Sequence, residues 1–243
     1  MKRIKLAGLP IEIHTLYDLP RSAEDYMTEE EPAFTVRITE QDMEREREKS
    51  RAECAYEGIC CSDYSPAELH STAVYRKIAM KLPEYDALVF HGSAVAVGQR
   101  AFLFAAPSGT GKTFHTRLWL KNIEGSYVIN GDKPILRVID GTPCVCGTPW
   151  MGKEGFGCNR IVPLSAVCFL NRGTENRIER ISFAQAFPRL ISQSFRPENA
   201  ELLTHTLSLL KGIGQSTPLY ELFCRMDDEA AKVAYGGMSG DNI

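Results

Sequence analysis

The chain has 243 residues, 44% of them hydrophobic and 24% charged, and a formal net charge of −3 at pH 7. That composition is ordinary for a soluble globular protein able to bury a sizeable core, and the length fits one large domain or a main domain with a small appendage. The near-balanced charge, with no long basic run, argues against a nucleic-acid surface, and the longest apolar runs fall far short of a membrane span.

The N-terminal stretch MKRIKLAGLPIEIHTLYDLP begins basic but breaks at Gly8, Pro10, Glu12 and His14. It lacks the apolar core of a signal peptide, so a cytoplasmic location is expected. Within it, IKLAGLPIEIHTLY alternates apolar and polar residues around a Gly/Pro break and reads as a hairpin; AFTVRIT reads as a third strand. Thr39 with Asp42 opens a polar helical stretch, TEQDMEREREKSRAE, whose alternating charges predict a solvated face. A second helix starts at SPAELHSTAVYRKIAMKL. Ser65 is its N-cap, Pro66 its first helical residue, and Glu68 completes a capping box. Leu69, Ala73, Ile78 and Leu82 suit burial on one side of it. The expected division is an appendage over residues 1–64, packed on a main domain over residues 65–243.

From Ala87 onward the pattern is rich in strands: ALVFH, SAVAV and AFLFA, then SYVIN, PILRVI and PCVCG, then AVCFL and RIERI. Helices follow in SFAQAFPRLISQSF and ENAELLTHTLSLLKGI, then a late strand, PLYELFCRM, and a last helix, DDEAAKVAY. Asp140-Gly141 reads as a tight hairpin turn. Hairpins this frequent point to a mixed α/β class and away from a purely parallel, doubly wound sheet. The eight cysteines, at 54, 60, 61, 144, 146, 158, 168 and 224, show no C-x-x-C pair. Reduced, mostly buried thiols are expected, because a zinc site at Cys60-Cys61 or Cys144-x-Cys146 would call for two paired spacings.

The informative segment is LVFHGSAVAVGQRAFLFAAPSGTGKTFHTRLWL, Leu88 to Leu120. A short apolar strand runs into Pro107, Ser108, Gly109, Thr110 and Gly111, then a cation, Lys112, and a hydroxyl, Thr113, at the start of a helix. A triphosphate carries several charges on closely spaced oxygens. Glycines let successive backbone N–H groups turn toward one centre, and the helix adds its unpaired N–H groups and positive dipole end. Lys112 then supplies a point charge between the β- and γ-phosphates, and the Thr113 hydroxyl can ligate Mg²⁺. The pattern G-x-x-x-x-G-K-[ST] is met except at its first position, where Ala106 stands. Downstream, SYVINGDKPIL supplies Asp132 just after a strand, where a Mg²⁺ ligand is expected.

The stretch HGSAVAVGQRAFLFAAPSGTGKT followed by VINGDKP resembles HPr kinase/phosphorylase and its bacterial homologues of unassigned substrate, most specifically at His91-Gly92, Ser108 to Thr113 and Asp132. PSGTGKT is also similar to the nucleotide loop of ATP-dependent phosphoenolpyruvate carboxykinase, which shares that core fold. The resemblance covers about residues 87–170, and nothing before residue 60 resembles the N-terminal domain of HPr kinase. It implies a P-loop fold of the HPr kinase/carboxykinase type, with a mixed sheet and hairpins. Ser108 to Thr113 then match the phosphate loop, and His91 matches the active-site histidine near the transferred phosphoryl group. Asp132 matches the second acid of an Asp-Asp pair, and Gly131 stands where the first would be. One acid can ligate Mg²⁺ or accept a hydroxyl proton, but doing both alone is harder, so another carboxylate is called for or activity is reduced.

The segment GTPWMGKEGFGCNRIVPL places Trp150, Lys153 and Arg160 among Gly147, Gly152, Gly155 and Gly157. It is long enough to fold over a site, and Lys153 or Arg160 could neutralise charge on a transferred phosphoryl group. The Glu-x-x-Gly loop of HPr kinases is not evident, so transfer to HPr is not expected. The expectation is a kinase-like protein that binds ATP, or another nucleoside triphosphate, with Mg²⁺ and transfers a phosphoryl group to a hydroxyl of a small molecule or peptide. Two alternatives stand beside it. One is a nucleotide-sensing protein without catalysis, favoured by Ala106 and Gly131. The other is carboxykinase-type chemistry, for which the chain is short and only the loop matches. Neither the acceptor nor the oligomeric state is legible.

Overall fold

The computed structural model describes residues 1–57 and 64–240; Cys60 and Cys61 lie outside them. The chain divides into two compact units, Met1–Lys81 and Leu82–Ile243.

In the first unit, β1 (Lys2–Leu6) and β2 (Leu9–His14) form an antiparallel hairpin whose turn places Ala7 and Gly8 at φ 51° and 81°, the geometry of a twist-matched two-residue turn. β3 (Phe34–Arg37) pairs with β2 in parallel. Two helices follow, α1 (Glu40–Glu57) and α2 (Pro66–Lys81). The Ser65 hydroxyl accepts from the Glu68 N–H at 3.3 Å while the Glu68 carboxylate accepts from the Ser65 N–H at 2.8 Å, closing the expected capping box. The compact unit ends at Lys81, so α2 belongs to it and the expected boundary after residue 64 falls inside it. α1 presents the expected solvated face but also buries one carboxylate: Glu46 is 6% exposed and takes a two-pronged ion pair from Arg76 of α2, which meets the need of a buried carboxylate for a partner.

The second unit is a mixed α/β structure. Its strands are β4 (Ala87–Val89), β5 (Ser93–Val97), β6 (Arg100–Ala105), β7 (Ser126–Asn130), β8 (Ile135–Ile139), β9 (Thr142–Cys146), β10 (Ile161–Arg172), β11 (Arg177–Arg180) and β12 (Leu219–Cys224). Its helices are α3 (Lys112–Asn122), α4 (Phe183–Gln193), α5 (Ala200–Ser216) and α6 (Asp228–Ser239). β10 runs through two pairings. Ile161–Pro163 pairs antiparallel with β9, which continues to β8 and β4. From Leu164, across an irregularity between Leu164 and Ala166, β10 lies parallel to β6, and from Val167 also to β12. The order there is β7-β5-β6-β10-β12-β11, with β5 antiparallel to both β6 and β7, and β11 antiparallel to β12. The β8–β9 turn is the expected tight hairpin, Asp140 and Gly141 at φ 48° and 77°.

Successive side chains of a strand point to opposite faces, and β6 shows the consequence. Ala101, Leu103 and Ala105 enter one core together with Leu190, Leu210 and Ile213 of α4 and α5. Phe102, Phe104 and Ala106 enter the other with Trp119 of α3 and Ala230, Ala231 and Ala234 of α6. A strand buried on both faces reads as the continuous apolar run AFLFA. Among the described residues, no helix is long and apolar enough to cross a membrane.

Candidate functional site

β7 is antiparallel to β5, and β5 to β6, so β6, β7, β10 and β12 all end at one edge of the sheet. The chain leaves β6 at that edge and turns through Pro107–Gly111 into α3. Gly111 sits at φ 121°, a conformation side chains disfavour, and lets Lys112 open the helix at once. The first N–H groups of α3 have no partner within the helix. Lys112 Nζ reaches back and donates to the Ala106 carbonyl at 2.7 Å. The Gln193 side chain, at the end of α4, lies between two carbonyls; its amide nitrogen, turned toward them, donates to Ala106 O at 3.2 Å and to His91 O at 3.0 Å. The His91 N–H donates to Gln193 O at 2.6 Å, so the end of α4 ties the start of the loop to His91, two residues beyond β4.

Opposite the loop stands Asp132. Its place follows from Asn130, a fully buried residue at the end of β7. The Asn130 Oδ1 accepts the N–H groups of Asp132 at 2.8 Å and Lys133 at 2.7 Å, a turn in which the side chain mimics backbone. Its Nδ2 donates to Thr148 O at 3.0 Å and Thr148 Oγ1 at 2.9 Å. The Asp132 carboxylate is 3.5 Å from His91 Nε2 and 3.9 Å from Lys133 Nζ, and its carbonyl accepts the Gly92 N–H at 2.9 Å. Burial, then the nearby Lys112 and Lys133 charges, hold the His91 imidazole below the usual histidine range, against the opposing pull of Asp132. Burial likewise lowers Lys112, again opposed by Asp132. A ring so lowered is neutral at pH 7.

The glycine-rich segment closes the third side. Phe156 O accepts the Gly131 N–H at 2.9 Å and Cys158 N donates to Ile129 O at 3.1 Å, so the segment pairs along the free edge of β7. Glu154 forms an ion pair with Arg117 of α3, and Arg117 also lies over the Phe156 ring at 6.0 Å. The result is a cleft of about 610 Å³, within the range of small-molecule sites, lined by the loop, His91, Asp132 and the segment from Met151 to Phe156.

Of the residues expected from sequence, His91, Ser108, Gly109, Gly111, Lys112, Thr113, Asp132 and Lys153 all line this cleft. Pro107 is not among the lining residues, and Thr110 lines an adjoining recess. Arg160 also departs from expectation. Its guanidinium stacks over the Tyr127 ring at 4.8 Å and is not part of the cleft lining, because the chain has by then passed along β7 and away. Glu154 and Arg117 were not anticipated, nor was Asn130. The clue to Asn130 was local: Asn two residues before Asp, at a strand end, is a side-chain-capped turn.

Gly131 explains itself by contact. A Cβ built there would stand 3.1 Å from Met151 O and 3.3 Å from Phe156 O. The place of a first acid is thus filled by backbone carbonyls of the segment, and a carboxylate beside them would be repelled. Gly131→Asp is expected to destabilise the protein by about 1–3 kcal/mol, the usual cost of overpacking, and to raise hydrogen exchange selectively over residues 151–157. Unchanged melting and exchange would show that the segment does not rest on residue 131.

Among the described residues, no group of three or more His, Cys, Asp or Glu side chains forms a closed metal site. Cys144 and Cys146 are buried in β9, where burial raises both thiols. The cleft does offer hard oxygen donors, Thr113 and Asp132, the chemistry Mg²⁺ prefers when phosphates and water complete its shell.

The class that fold and site define is a mixed α/β protein with an open polar cleft at a strand–loop–helix junction. No protein-family model matches the chain, and no curated protein does. Among solved structures, it is similar to the HPr(Ser) kinase/phosphatase from Coxiella burnetii, at 10% identity and a TM-score of 0.29, over 53% of this chain and 97% of that one.

Proposed function

We propose that this protein is an ATP- and Mg²⁺-dependent phosphotransferase of P-loop type, acting on a hydroxyl of a small molecule or peptide in the cytoplasm. The observation that carries the reading is the convergence of Lys112 and Thr113 from the loop with Asp132 and His91 from the opposite wall of one cleft. Loop N–H groups and Lys112 bind the β- and γ-phosphates. Thr113 and Asp132 would hold Mg²⁺, which when bound neutralises charge on the phosphate oxygens. The acceptor oxygen bonds to the γ-phosphorus while the bond to the β–γ bridging oxygen breaks and nucleoside diphosphate leaves. Asp132 takes the acceptor's proton. Neutral His91 orients the Asp132 carboxylate, and Lys153 neutralises charge on the phosphoryl group in flight. Glu154 is the second carboxylate of the cleft, held off the phosphates by Arg117.

A nucleotide sensor without transfer is the competing reading, and the filled position beside Gly131 favours it. One assay separates the two. Protein with γ-labelled ATP, Mg²⁺ and fractionated extract is expected to yield a phosphate ester on a hydroxyl. Tight ATP binding with no label transferred to any fraction would mean a sensor, and no ATP binding at all would overturn both readings.

A further inference from the structure

On the side of the loop away from Asp132, the same sheet edge carries Arg172, the last residue of β10, and Cys224, the last of β12. Between these strand ends and α3 lies a second, shallow recess, lined by Thr110, Phe114, His115, Arg172, Arg225 and Met226 among others. Its enclosed volume is only about 20 Å³, so it can take the face of a planar group but not swallow one.

Three features of the recess ask for a ligand. Phe114 and Met226 are large apolar side chains left 38% and 55% exposed on either side of the loop end, and Met226 Cε lies 3.4 Å from the point where a Gly111 Cβ would stand. Arg172 donates to the Gly109 carbonyl at 2.9 Å, and Arg225 is held by Asp227 at 3.0 Å, so two guanidinium groups are fixed beside them. The third is His115, 3% exposed. The Trp119 Nε1–H can only donate, and it does so to His115 Nε2 at 3.0 Å. Burial drops the ring's pKa to about 3, so it is neutral and carries its proton on Nδ1. That Nδ1 is buried and has no partner among the described residues, a donor in want of an acceptor.

We propose that this recess receives the nucleoside end of the bound nucleotide, the base lying against Phe114 and Met226 with Arg225 at its edge and the buried His115 Nδ1–H linked to it through a bridging water. The proposal rests on the phosphate-loop reading. With the γ-phosphate toward Asp132, a nucleotide laid along the strand ends must extend toward β10 and β12. Stacking on an aromatic face tolerates any base and commonly contributes about tenfold in affinity.

The test compares Mg-ATP with Mg-tripolyphosphate, which has the phosphates and no nucleoside. Phe114 also borders the phosphate cleft, so its variant keeps an apolar side chain: calorimetry on the full chain is expected to show Phe114→Leu/Met226→Ala binding ATP about tenfold more weakly, with tripolyphosphate affinity unchanged. Both residues are exposed, and retained tripolyphosphate binding reports a folded loop. Unchanged ATP affinity, or an equal loss for both ligands, overturns the proposal. So does a variant that keeps ATP affinity but loses transfer, which would give the recess to the acceptor. If wild-type protein binds neither probe, the phosphate-loop reading itself has failed.

Discussion

Asp132→Asn should lower turnover by roughly 10²- to 10⁴-fold, the range over which a positioned proton acceptor acts, while ATP affinity changes far less. The substitution keeps the shape of the side chain, and the backbone that presents it is fixed independently. Two N–H groups at residues 132 and 133 are held by Asn130 Oδ1, and Asn130 is itself anchored on Thr148. The variant therefore loses charge and basicity without losing its place. His91→Ala should reduce turnover less. His91 stands 3.5 Å from the carboxylate and acts through it, so its removal leaves the acceptor present but less well oriented. Steady-state turnover and ATP affinity measured side by side check the point: wild-type turnover in Asp132→Asn would overturn the assignment of the base. A parallel collapse of ATP affinity would instead mean that Asp132 serves nucleotide binding.

How much of this was legible in the sequence depends on the range of the interactions concerned. The hairpin of β1 and β2, the Ser65/Glu68 capping box and the Asp140-Gly141 turn are settled within a few residues, and local chemistry decided them. The strand–loop–helix around Lys112 was legible for the same reason, since an apolar run, clustered glycines and a helix start are adjacent in the chain. Asp132 could be picked out as an acid after a strand. Its support could not, because Thr148 lies 18 positions on and meets Asn130 only through the fold. Arg160 shows the opposite failure. Closeness in sequence to a glycine-rich segment suggested a cation over the cleft, but pairing of that segment with the free edge of β7 carries Arg160 onto Tyr127. The same pairing delivers Glu154 to Arg117, a contact across 37 positions that no local pattern announces. Glu46, placed by alternating charge on a solvated face, is buried because an arginine 30 residues later reaches it.

Lys112→Ala should weaken ATP binding by roughly 10- to 100-fold, the usual range for losing a hydrogen bond to a charged group, and should leave the fold intact. Lys112 is half-buried and its Nζ donates to the Ala106 carbonyl at 2.7 Å, an arrangement that holds the ammonium beside the loop. Its second effect is electrostatic. Burial is the first cause that lowers His91, and the Lys112 charge is the second. Removing that charge removes one lowering influence, so the His91 pKa should rise toward the ordinary value of about 6.5. The direction fixes the linkage. A histidine depressed in the folded state supports folding at pH above its unfolded pKa and withdraws that support as pH falls, so the variant should lose less stability than wild type between neutral pH and mildly acid pH. A titration of the His91 ring resonances, run alongside ATP calorimetry, reads both effects at once. Unchanged ATP affinity would end the phosphate-loop reading. Weakened ATP binding with an unmoved His91 would show that the two walls of the cleft do not share a field, and His91 would then have to be tuned by burial and Lys133 alone.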